Sequence, residues 1–199
     1  MAYSDKEPHG GRLQRPAGRD GTFINSFMQV CRRHGATMGC LALAGLFLPS
    51  AWDRLGAVFA PLFSSPINYL AAGAGLVVFF RFHQRRKTRE SNWQNLLWLG
   101  YLLFISLVEE MAFRLFLPSE LSAAVPFLAA VIISNALFAL LHYFTLRWHW
   151  WNCLFTLAGG LGFSHMLHQS GDLALVILAH WFFTFMNTPL PPAPRPAAL

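Results

Sequence analysis

Apolar residues run in long stretches along this chain, and charged positions collect between them. From Asn95 to Ser119 the only ionisable side chains besides Tyr101 are Glu109, Glu110 and Arg114. From Leu121 to Leu146 His142 is the only side chain that carries charge near neutral pH. A run of roughly 18 or more apolar residues is long enough to cross a hydrocarbon core of about 30 Å as a helix. Several such runs in one short chain argue against a soluble core helix. The pattern predicts an all-α, polytopic membrane helix bundle of about six spans, near 36–52, 66–82, 94–117, 122–144, 150–168 and 172–188. The first two are rich in small residues (Gly39, Gly45, Gly73, Gly75), which suits close helix packing in lipid. The segment from Asp53 to Ser65 is amphipathic and is expected to lie along an interface.

The basic residues give the bundle an orientation. Of 15 Lys and Arg, only Arg54 and Arg114 depart from a one-sided distribution, so both termini are expected to be cytoplasmic. Trp93, Trp98 and the group Trp148, Trp150 and Trp151 read as interfacial anchors. Composition agrees with the membrane reading, since 55% of residues are hydrophobic and only 12% are charged, about half the charged share of a soluble domain. The formal net charge of +6 is accounted for by this sidedness and by anionic lipid headgroups, so no nucleic-acid partner is implied. Cys31, Cys40 and Cys153 have neither disulfide-framework nor metal-ligand spacing. Residues 1–30 read as a disordered basic tail without the apolar core of a signal peptide. Residues 31–190 form the bundle, and 191–199 a Pro-rich tail.

Ionisable groups inside spans cost about 2.5–3.5 kcal/mol or more and mark function by default. Here they are Glu109, Glu110 and Arg114 on the third span, His142 on the fourth and His180 on the sixth. Glu110 and Arg114 stand at i and i+4, the favourable order for a helical ion pair. Glu109 lies about 100° round the helix from Glu110, which leaves it as an acid or base facing a wet cavity. Asn135, Phe138 and His142 share a stripe, as do His180, Thr184 and Asn187. The plainer alternative for these same residues is a structural ion pair with one neutral, protonated Glu, beside two histidines satisfied by interhelical hydrogen bonds.

The order Glu109-Glu110-xxx-Arg114, Phe138-xxx-His142 and His180 on successive spans resembles the CAAX protease and bacteriocin-processing (Abi) family of glutamic intramembrane endopeptidases. That family carries EExxxR, FxxxH and HxxxN or HxxxD on successive helices. The stretch from Gly159, Gly160 and Gly162 through Ser170-Gly171-Asp172-Leu173 to His180 is also similar to the family's approach to its last motif. The resemblance extends from about Trp93 to Asn187, roughly half the chain, and departs from the pattern at Thr184, where the family has Asn or Asp. It implies a protease without cofactor or metal, in which Glu109 and His142 activate water. His180, with Thr184 or with Asn187 further along the same face, would then stabilise the oxyanion. It further implies Arg114 as a structural partner of Glu110, and a membrane-anchored protein or peptide as substrate. A bacterial cytoplasmic membrane is the expected setting.

Three other readings use the same positions. A zinc-dependent hydrolase would take the Glu and His residues as ligands, although no HExxH pair is present. A serine protease would need Ser164 as nucleophile. A non-catalytic scaffold or small proton-coupled transporter would use the buried groups without cutting peptide. One geometric difficulty attends the protease reading. On straight helices Glu109 lies past the middle of its span while His142 lies near the cytoplasmic end of the next, so a broken or tilted helix near Pro118 or Pro126 is expected.

Overall fold

The computed structural model describes Ile24 together with residues 26–87 and 93–192. Most of both expected tails, and Arg89 in the basic loop, therefore lie outside the described residues. Contiguous helical segments merge into seven helices, with no strand among the described residues. These are α1 (27–45), α2 (Ala51–Ser64), α3 (Pro66–Lys87), α4 (Trp93–Leu121), α5 (Phe127–Thr145), α6 (Trp150–Ser170) and α7 (Leu173–Asn187). The chain is a helical membrane bundle. Its outer surface carries large apolar side chains, with Phe47, Phe63, Ile67 and Phe155 each about three-quarters exposed or more, far beyond what a water-facing surface sustains.

Helices stand at all six expected span positions, but they differ in reach. Among the described residues, Trp93–Leu121 and Phe127–Thr145 are long and apolar enough to cross a membrane, and a third span results if α2 and α3 count as one. Those two helices meet at 83° around Ser65. Only Ala51 and Leu55 of α2 are buried, the one-sided burial that its amphipathic sequence implies. Helix α7 is apolar but has 15 residues, a length of about 22 Å at 1.5 Å per residue. Helix α1 starts at Phe27, inside the stretch expected as tail, because Ser26 caps it by accepting from Gln29 N–H.

Two π-helical segments interrupt the regular helices, Cys31–Gly35 in α1 and Met111–Phe116 in α4. In the second, the Leu117 N–H reaches back five residues to the Ala112 carbonyl. Pro118 follows at once, and it lies within α4 rather than at a turn between spans. Proline withholds an N–H from the carbonyl four residues earlier, and the wider winding just ahead of it relieves the crowding. Such insertions concentrate at functional sites, and both of these abut the polar centre of the bundle.

Helix α4 is the central strut. Its first part packs along α7 and α1, while α5 packs against residues 111–121 and against α6. This partition removes the difficulty over depth. Helix α5 packs chiefly along the later part of α4, so its C-terminal turn arrives at the level of Glu109 while α4 continues past it. No break at Pro126 is required: Pro126 simply precedes the first turn of α5. Closeness between helices depends on absent side chains. A Cβ on Gly45 of α1 would fall 2.1 Å from the Phe116 ring.

Candidate active site

Helix α4 delivers two consecutive carboxylates to the interior, Glu109 at 2% and Glu110 at 0% exposure. They have different partners, as one step of about 100° requires. Glu110 faces Arg114, with 3.4 Å between Oε2 and Nε, and its Oε1 accepts a hydrogen bond from His180 Nδ1 at 2.6 Å. The Arg114 guanidinium lies 4.0 Å over the Phe138 ring, so the FxxxH phenylalanine serves as the platform for the EExxxR arginine.

Room for that arrangement comes from Gly160. A Cβ there would lie 2.3 Å from Asn135 Oδ1 and 2.8 Å from an Arg114 terminal nitrogen. Asn135 cannot step aside easily, because its amide donates to Val131 O and to Ser164 Oγ, both at 2.9 Å. Ser164 is thereby an acceptor for Asn135 within a structural network. Gly160→Ala is expected to destabilise the protein by about 1–3 kcal/mol, the usual cost of overpacking. Thermal unfolding of the purified variant in detergent checks this, with Gly159→Ala, whose Cβ would meet nothing within 4 Å, as the control.

Glu109 sits among imidazoles. His142 Nε2 is 3.5 Å from its Oε1 and His180 Nε2 is 3.6 Å from its Oε2. His142 Nδ1 faces the Phe138 carbonyl at 2.9 Å. A carbonyl only accepts, so Nδ1 carries the proton and Nε2 offers its lone pair toward Glu109. His180 is held by stacking on Phe163, with ring centroids 4.8 Å apart. Trp148, expected as an interfacial anchor, packs against His142 at 5.0 Å between centroids.

A third histidine, which the sequence reading passed over, completes the ring. His34 in the π segment of α1 is 3% exposed and brings Nε2 to 2.8 Å from Glu109 Oε1. The signal for it was present. Val30, His34, Met38, Ala42 and Gly45 form one buried stripe at helical spacing. Starting the first span at residue 36 left His34 outside.

Thr184 and Asn187 follow His180 along α7. Thr184 is half-buried one turn beyond His180, and Asn187 is exposed as the last residue of α7. Among the described residues neither side chain hydrogen-bonds to the Glu/His group. Despite its neighbours, Glu109 Oε1 has no aligned hydrogen-bond donor. A fully buried acceptor in that condition calls for a functional explanation. His34, Glu109 and His142 also offer three possible ligand atoms within 4.8 Å of one another, a donor set that suits zinc.

A family model described as Type II CAAX prenyl endopeptidase Rce1-like matches residues 91–186. Residues 91–186 are similar to the Rce1-like family. The Rce1-like segment contains α4 to α6 and nearly all of α7, and with them Glu109, Glu110, Arg114, Phe138, His142 and His180. Helix α1 and His34 precede it. The match is to a family of membrane peptide hydrolases and covers just under half of the chain. No curated protein and no solved structure matches the chain.

Proposed function

We propose that this protein is a metal-independent, glutamic-type intramembrane endopeptidase acting on the tail of a membrane-anchored protein or peptide. The observation that carries the reading is the Glu109 carboxylate, buried, with Oε1 lacking an aligned donor and with His34, His142 and His180 nitrogens within 3.6 Å of its oxygens. In the proposed cycle Glu109 Oε1 and His142 Nε2 take up a water between them. One of its protons passes to this pair as the oxygen attacks the scissile carbonyl carbon. The C=O π electrons move onto oxygen, and His180 Nε2 faces the resulting oxyanion. Because Nδ1 of His180 gives its proton to Glu110, this role requires a second proton on Nε2. Arg114 balances the charge of Glu110 that holds His180 in this state. Collapse of the tetrahedral intermediate breaks the C–N bond, and the proton held by Glu109 and His142 goes to the leaving nitrogen. Thr184, one turn from His180, is the nearer candidate along α7 for a second oxyanion donor, and Asn187 the more distant.

The test is cleavage of tagged C-terminal tails co-expressed with wild type and with Glu109→Gln, His142→Ala and Thr184→Ala at matched membrane levels. Loss of the product in the first two, with partial loss in the third, supports the reading. Cleavage unaffected by Glu109→Gln or His142→Ala removes it and favours a scaffold or transporter.

The 4.8 Å grouping of His34, Glu109 and His142 gives a zinc hydrolase a specific basis as a second reading. The metal-independent reading expects full cleavage after exhaustive chelation, with less than stoichiometric metal by elemental analysis. Activity lost to chelator and restored by zinc would establish the second instead.

A further inference from the structure

Helix α1 supplies a residue to the centre of the site although it lies outside the Rce1-like segment. His34 is fixed at both ends of its ring. Thr145 Oγ1, near the end of α5, donates its only proton to the Leu141 carbonyl at 2.6 Å. It must therefore accept from His34 Nδ1, 2.8 Å away. That bond sets the ring plane and turns Nε2 toward Glu109 Oε1 at 2.8 Å. The ring edge meets His142 with centroids 4.7 Å apart. Arg33 ties the same turn of α1 to the end of α5 by donating to Phe144 O at 3.1 Å. Gly35 permits the close approach, since a Cβ there would lie 3.1 Å from the Tyr101 ring.

The Glu109 carboxylate is thus bracketed by two imidazoles from different helices, 2.8 Å and 3.5 Å from one oxygen. Arg114 is committed to Glu110, and the His180 nitrogen on the Glu109 side stands 3.6 Å from the other oxygen. The nearest polar contact to Glu109 is therefore His34, and it comes from a helix the family's three motifs do not include. We propose that His34 is a positioning residue: anchored by Thr145 through Nδ1–H and carrying a second proton on Nε2, it supplies the donor that Glu109 Oε1 otherwise lacks, holds that carboxylate against His142 and so aims the base at its water. This inference rests on Glu109 being the base of the proposed protease.

The experiment uses the full chain in nanodiscs, with a farnesylated peptide ending in a CAAX sequence as probe. His34→Ala is expected to lower kcat by roughly 10²-fold, the scale of an ångström misplacement at a reacting centre, with KM little changed. His34→Gln, whose amide nitrogen can donate near the former Nε2 position, restores much of that loss. Thr145→Val falls between wild type and His34→Ala, and Thr145→Ser stays near wild type. Wild-type kcat in His34→Ala overturns the proposal. So does an equal loss in the Ala and Gln variants accompanied by equal falls in unfolding temperature, which would make His34 purely structural. A second measurement is independent of turnover: the ¹⁵N signals of the His34 ring by solid-state NMR in wild type and Glu109→Gln. A marked shift of Nε2 with Nδ1 unchanged supports the contact, and identical spectra overturn it. Failure of wild type to cut any tail, with the NMR shift present, would sink the protease reading while keeping the His34–Glu109 pairing.

Discussion

Glu109→Gln abolishes peptide cleavage and leaves a folded protein: the expected fall in kcat/KM is at least about 10²–10⁴-fold, the range for loss of a positioned general base. The amide has the shape of the carboxylate and still fits among His34, His142 and His180, so packing is preserved. It cannot accept a proton from water at any useful rate. Charge considerations favour survival of the fold as well, because Glu110 retains its own partners, Arg114 and His180. Adding His142→Ala to Glu109→Gln costs little more than either change alone, since both residues act on the same water and their effects are not additive. Single-turnover cleavage by purified variants, normalised to folded protein, checks both statements.

Arg114→Ala is expected to act on stability first. The guanidinium is fully buried, pairs with Glu110 and lies flat on Phe138. Removing one partner of a buried ion pair typically costs about 3–5 kcal/mol, because the other charge is left uncompensated. Here that charge is the carboxylate that orients His180, so the loss passes directly into the site. Lysine does not rescue it, since a point charge lacks the planar face that stacks on the ring. The measurement is the unfolding temperature and the folded yield from membranes. The double change Glu110→Gln, Arg114→Met is expected to recover much of the stability and none of the activity, because His180 then loses its charged acceptor. Recovery of activity in the double variant would show that the ion pair has no role in orienting His180.

Which parts of this were readable in the chain follows from where the information resides. The helices were legible because apolar runs in lipid admit few other forms, and the Glu110–Arg114 pair because i and i+4 spacing is a local property. Glu109, His142 and His180 stood out as ionisable groups where such groups are costly. Their mutual approach was less legible. It depends on α5 packing chiefly against residues 111–121 of α4 and on a π segment between Met111 and Phe116, and a periodicity of 3.6 residues reports neither. His34 was obscured by its neighbours: Arg32 and Arg33 read as a charged flank, so the buried stripe from Val30 to Gly45 began too late.

The partial overlap of α5 with α4 carries a consequence for which bond is cut. His142 is three residues from the end of α5, about 5 Å along the axis, and Trp148 lies against it just beyond that end. The reactive atoms are therefore stationed at a fixed level, one turn from the end of α5, while α4 continues past them. On the proposed reading this makes the bundle a depth gauge. A tail is selected by how many residues separate its anchor from the bond presented at that level, more than by the identity of the side chains flanking it. Lengthening or shortening the spacer in a tethered tail would then move the cut along the chain by the same number of residues.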